Sequence, residues 1–112
     1  MERPCVLIVE DETDIAQLIQ YHIEREGYAT KLIASGSQVQ DAVRAAPPKL
    51  IILDIMLPDL DGLEVCKRLK RDPNTAEIPI IMVSARGEES DIVVGLELGA
   101  EDYVTKPVSP RV

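Results

Sequence analysis

The chain has 112 residues, 46% hydrophobic and 29% charged, with 12 basic against 20 acidic side chains and a net charge of −8. At roughly 100–150 residues per domain that is one globular domain, and the mix rules out a wholly disordered chain. An acidic surface repels phosphate backbones and anionic membranes, which argues against direct nucleic-acid or membrane binding, and the longest apolar runs fall far short of the roughly 20 residues that a transmembrane helix needs.

Met1-Glu2-Arg3-Pro4 leads straight into an apolar run, with no signal-peptide pattern. That run, Cys5-Val6-Leu7-Ile8-Val9, suits a first strand covered on both faces, and it stops at Glu10-Asp11-Glu12. Ile15, Leu18, Ile19 and Ile23 then recur at helical spacing, with Gly27 as the stop. Tyr28 to Ile33 reads as a second strand, and Ser35 to Ser37 offer caps for a second helix whose buried stripe is Val39, Ala42, Val43 and Ala46. Pro47-Pro48 ends it. Leu50-Ile51-Ile52-Leu53 gives a third strand closing on Asp54, and a loop with Pro58 and Gly62 leads to a third helix, on which Leu63, Cys66 and Leu69 share a face. Asp72-Pro73-Asn74 breaks that helix, Ile78 to Val83 forms a fourth strand ending at Ser84, and Ser90 starts a fourth helix that carries Val93 and Leu96 and stops at Gly99. Asp102 to Thr105 is a short fifth strand before Lys106-Pro107. Cys5 and Cys66 lack any metal-ligand spacing and read as reduced core thiols of a cytoplasmic protein. With no Phe, no Trp and three Tyr, the core is aliphatic.

Strand and helix alternate throughout, which predicts an α/β fold with a doubly wound parallel sheet. Right-handed crossovers leave few topologies, and the order 2-1-3-4-5 is a common one for such sheets. Ligands then sit at the carboxyl ends of the strands, beside the switch point between strands 1 and 3. Polar groups end four of the apolar runs: Glu10 and Asp11 after strand 1, Asp54 after strand 3, Ser84 after strand 4 and Lys106 after strand 5. Any one of them alone reads as a loop residue or a helix cap, Asp11 for instance as the cap of the first helix. The set on one rim is different.

Two carboxylates about 5 Å apart repel by about 3 kcal/mol at an effective dielectric of about 20. Three such pairs approach the whole stability of a small domain, about 5–15 kcal/mol, so Glu10, Asp11 and Asp54 together call for a compensating cation. Mg²⁺, a hard ion that takes oxygen ligands, is the natural partner, with the backbone carbonyl of Met56 as a further ligand. Three carboxylates, the dication and Lys106 sum formally to zero, which leaves a pocket able to accept a phosphoryl group. Asp54 is the candidate nucleophile, with Lys106 and the Ser84 hydroxyl sharing the charge of the transferred group.

Val9-Glu10-Asp11-Glu12, Leu53-Asp54 with Met56-Leu57-Pro58 and Asp61-Gly62, Ser84-Ala85, Gly99-Ala100, Asp102-Tyr103 and Lys106-Pro107 together resemble the receiver (CheY-like) domain of bacterial two-component response regulators, over nearly the whole chain. The resemblance implies a flavodoxin-like five-stranded sheet and a phosphoacceptor signalling domain rather than an enzyme. It implies that a sensor histidine kinase phosphorylates Asp54 with Mg²⁺ as cofactor, and that Glu10, Asp11 and Asp54 hold the metal. Lys106 then contacts the phosphoryl group, Ser84 is the switch hydroxyl, Tyr103 is the switch aromatic, and the Lys106–Pro107 bond is cis. Ser84-Ala85-Arg86-Gly87-Glu88-Glu89 and Lys106-Pro107-Val108-Ser109-Pro110-Arg111 resemble regulators of the OmpR/PhoB winged-helix type, which implies a DNA-binding output domain. The alternative within the family is a stand-alone receiver acting as an interaction or phosphorelay module.

Three departures accompany the resemblance. Ser109-Pro110 looks like the start of a fifth helix, so residues 1–112 read as a single receiver truncated there, with lower stability or self-association expected from the uncovered sheet. Val108 stands where many relatives have Phe. Ile92 and Val94 face outward where some relatives carry a basic residue for dimer ion pairs, which bears on a homodimer through the helix 4–strand 5 face. Among rival folds, an FMN-binding module needs phosphate-cradling donors after strand 1, where Glu10-Asp11-Glu12 stands instead. A haloacid-dehalogenase-like phosphatase needs a second Asp where Met56 lies. An EF-hand loop counted from Gly62 puts Leu57 and Arg68 where carboxylates are required. His22 reads as a boundary residue of the first helix, and Tyr21 and Tyr28 have no assignable role.

Overall fold

A computed structural model describes residues 3–83 in full and the backbone of Ser84 and of residues 102–105. The elements run β1 (Cys5–Val9), α1 (Thr13–Arg25), β2 (Ala29–Ile33), a 3₁₀ turn (Gly36–Gln38), α2 (Val39–Ala45), β3 (Leu50–Asp54), α3 (Gly62–Arg71), β4 (Ile80–Ser84) and β5 (Asp102–Thr105). The five strands form one parallel sheet in the order β2-β1-β3-β4-β5, as the pattern predicts. The expected fourth helix from Ser90 to Gly99, Ile92 and Val94, the Lys106–Pro107 bond and Ser109-Pro110 lie outside the described residues.

Pleating sorts the apolar strand residues onto two faces. Val6, Ile8, Ile52 and Val83 point to one side and bury Ile19 of α1, with Ile15 and Ile23 packed alongside. Leu7, Val9, Ile51, Leu53, Ile80 and Met82 point to the other, against Val39 and Val43 of α2 and Val65, Cys66 and Leu69 of α3. Burying each such side chain stabilises the fold by about 1.5–3 kcal/mol, which is why continuous apolar runs become strands with helices on both sides.

The structure corrects several local expectations. β4 begins at Ile80 rather than Ile78, because Ile78 closes a turn through its N–H to the Thr75 carbonyl (3.1 Å) and Pro79 has no N–H to pair. β2 begins at Ala29, whose N–H reaches the Pro4 carbonyl (2.9 Å). Ala46 is exposed beyond the end of α2, while Val65, absent from the expected stripe of α3, is buried. Ser35 and Ser37 do not cap α2; their donors go to Asp59 instead. Nor does Asp11 cap α1, whose N-cap residue is Glu12 with no side-chain capping bond. Cys66 is buried but Cys5, at the start of β1, is only half-buried. His22 lies half-buried at the edge of α1, edge-on to the exposed Tyr21 ring, as a boundary residue should. Among the described residues no helix is long and apolar enough to cross a membrane.

Candidate functional site

β1 and β3 are hydrogen-bonded neighbours with Val9 opposite Leu53, so the residues that follow, Glu10 and Asp54, emerge side by side on the carboxyl rim. The β1 ladder runs one residue past the strand, since the Glu10 N–H donates to the Ile33 carbonyl (3.0 Å). Glu10 and Asp54 are 4% and 1% exposed, which makes them the buried acids of the described chain, and Asp11 stands exposed beside them. One carboxylate oxygen from each of the three lies within 4.8 Å of the others. The convergence expected from the sequence is real.

Local hydrogen bonds hold two of these carboxylates in place. The Glu12 N–H donates to Glu10 Oε2 (3.1 Å), and the Met56 N–H donates to Asp54 Oδ1 (3.1 Å). Met56 exposes its side chain, so what it brings to the rim is backbone. The loop after β3 is folded back on its own strand: the Gly62 N–H donates to the Ile55 carbonyl (2.9 Å), and the Ile55 N–H reaches the Val83 carbonyl of β4 (3.0 Å). Asp61 caps α3 by accepting from the Leu63 N–H (2.7 Å). Asp59 turns the other way, to the 3₁₀ turn after β2. The two carboxylates of Asp59-Leu60-Asp61-Gly62 are thus committed to the fold, which agrees with setting aside a calcium loop.

Ser84 ends β4 and pairs in register with Thr105, and Tyr103 pairs with Met82 in β5, so the backbones of both lie on the strands that the sequence assigned them. Their side chains, and all of Lys106 and Pro107, lie outside the described residues. Sequence reasoning missed the roles of Asp59 and Gly62. The latter had a signal, a glycine ending the loop that follows an acidic strand end; the former had none.

The donor set fits a hard divalent ion. All three groups are carboxylates, and octahedral Mg²⁺ at about 2.0–2.1 Å holds opposite ligand oxygens about 4.2 Å apart, close to the spread seen here. Two of the three are shielded from water, where their mutual repulsion is screened least.

Residues 6–112 match the family model of the response regulator receiver domain. The chain belongs to that family. Receivers are signalling domains of two-component systems, which bind Mg²⁺ through acidic residues and work with a histidine kinase and a linked output domain. This receiver is 48% identical over 106 residues to the alkaline phosphatase synthesis transcriptional regulatory protein PhoP of Bacillus subtilis, covering 95% of this chain and 43% of that protein. It is 49% identical over 108 residues to the transcriptional regulatory protein BaeR of Escherichia coli, covering 96% and 44%. Both are regulators of the OmpR/PhoB family. The receiver therefore spans less than half the length of either relative. Among solved structures it is similar to the Mn²⁺-bound form of the response regulator Rcp1, with a TM-score of 0.85 and 26% identity over 95% of this chain and 83% of that one.

Proposed function

We propose that Asp54 is a phosphoacceptor: a sensor histidine kinase donates the phosphoryl group of its phosphohistidine to an Asp54 carboxylate oxygen. The new O–P bond forms as the N–P bond breaks, and the electron pair returns to the donor imidazole nitrogen, which takes up a proton. The observation that carries this reading is the convergence of Glu10, Asp11 and Asp54 within 4.8 Å at the carboxyl ends of adjacent central strands. Those three side chains and the Met56 carbonyl would hold Mg²⁺, which when bound supplies positive charge against the carboxylates and the phosphoryl oxygens. The Met56 N–H on Oδ1 fixes the plane of the Asp54 carboxylate.

In the same reading Lys106, before a cis bond to Pro107, and the Ser84 hydroxyl take the remaining phosphoryl charge. The added group brings about −1.5 to −2 charges, draws Ser84 inward and lets Tyr103 follow, which changes the helix 4–strand 5 face. That face governs a winged-helix output domain in the full-length cytoplasmic regulator and a homodimer contact. The test is intact mass after incubation with a small phosphodonor and Mg²⁺. The native chain gains one phosphoryl group and Asp54→Asn gains none; equal uptake by the variant moves the acceptor elsewhere.

A further inference from the structure

Asp59 lies on the loop between Asp54 and α3, on the protein surface, yet its carboxylate is fully engaged. Oδ2 accepts from the Ser35 hydroxyl (2.6 Å) and the Ser37 N–H (3.0 Å), and Oδ1 accepts from the Gly36 N–H (2.9 Å). The Ser37 hydroxyl in turn sits 2.9 Å from Ser35 Oγ. Hydrogen bonds to a charged acceptor are about twice as strong as neutral ones. They hold the Asp59 carboxyl far below the usual carboxylate range, the Ser35 hydroxyl contributing most.

The two segments also meet at the backbone. A Cβ on Gly36 would lie 2.6 Å from the Leu60 carbonyl oxygen and 3.1 Å from Val65 Cγ2, so only a residue without a side chain lets the turn after β2 approach so closely. Other anchors of the loop are local: Met56 to Asp54, Gly62 to Ile55, Leu63 to Asp61. Among the described residues, the side-chain hydrogen bonds that join loop 56–61 to a distant part of the chain are those of Asp59.

We propose that Asp59 is a positioning residue for the metal site: by latching loop 56–61 to the turn after β2, it sets where the Met56 carbonyl stands and how tightly the divalent cation is held. The proposal rests on the reading of Asp54, Glu10, Asp11 and Met56 given above. Mg²⁺ demands near-ideal octahedral distances and tolerates displaced ligands poorly, so a loop that wanders by a fraction of an ångström weakens binding. Asp59 touches neither the ion nor the phosphoryl group; it acts through the backbone that carries Met56.

The test is Mg²⁺ affinity by titration calorimetry beside melting temperature. Asp59→Ala is expected to bind Mg²⁺ about tenfold more weakly, the low end of losses seen when a supporting residue behind a metal ligand is removed. With Mg²⁺ raised to saturation, its rate of Asp54 phosphorylation by a small phosphodonor returns to that of the native chain. Asp59→Asn keeps an acceptor oxygen and recovers part of the affinity. Asp72→Ala, which breaks a tie between α2 and the end of α3, lowers the melting temperature and leaves Mg²⁺ affinity unchanged. An Asp59→Ala chain that melts lower but binds Mg²⁺ as tightly as the native one overturns the proposal, as does an Asp72→Ala chain that loses affinity equally. Failure of the native chain to take up Mg²⁺ overturns both readings. Native-rate phosphorylation of Asp54→Asn overturns the acceptor assignment alone and leaves the Asp59 comparison standing.

Discussion

Gly62 meets β3 at its last peptide. A side chain added there would run into the Asp54 carbonyl oxygen and lie 2.7 Å from Ile55 Cα, and backbone atoms cannot swing aside. Gly62→Ala is therefore expected to cost about 1–3 kcal/mol of stability in denaturant unfolding, the usual range for overpacking, and to slow phosphorylation because the peptide of Asp54 must shift. Unchanged stability and rate would show that the loop relaxes freely. The rim acids were legible in the sequence because each follows an apolar run that ends abruptly, and strand ends on one rim must converge. Asp59 was not legible. Its partners are 22–24 residues away, and a serine beside a predicted helix start reads first as a cap, a local role that here yields to a distant carboxylate.

Helices α2 and α3 are joined by a carboxylate as well as by packing. Asp72, after α3, accepts from Gln40 Nε2 (2.8 Å) and Arg44 Nε (2.7 Å) of α2 and from the Asn74 N–H (2.9 Å). The Asn74 N–H and then Arg44 hold its carboxyl below the ordinary value, as the serine turn does for Asp59. A carboxyl whose folded pKa lies below its unfolded value near 3.9 stabilises the fold fully above that pH and loses the contribution as pH falls through the folded value. The melting-temperature gap between the native chain and an Asp59→Asn, Asp72→Asn double variant should thus stay constant from neutral pH to about 5 and close below about 4. A gap independent of pH would assign the loss to shape, not charge. Element types were legible because residues 6–9 and 50–53 are unbroken runs of Ile, Leu and Val, while the helices between them carry apolar residues at helical spacing. Boundaries slipped where another bond competed: Ile78 was taken by its turn, and Ala46 lay past a helix too short to bury it.

The molecule as a whole carries eight excess negative charges and gathers three of its acids into one rim cluster. Filling that cluster should stabilise the whole fold. At Mg²⁺ concentrations about 100 times the dissociation constant, linkage adds about 2.7 kcal/mol. The melting temperature is expected to rise accordingly, to rise less for Glu10→Gln, and not to follow Na⁺ at equal ionic strength. Identical responses to both salts would reduce the effect to general screening. The alternation of strands and helices was legible, and handedness left few topologies, but the order found was chosen among them as a common one for such sheets; the tie between separate loops was not legible, because no periodic signal encodes it.

Among the described residues the interior is built almost wholly of Ile, Val and Leu, and the β-branched members are restricted in χ1. Such an interior has few soft torsions in which to absorb a push. Asp54 is the terminal residue of the middle strand, and the peptide after it is bonded to β4. A nudge delivered there meets Val83, its in-register neighbour on β4, and a stiff aliphatic interior, so it is expected to pass sideways into the neighbouring strands rather than be taken up by rotamer changes.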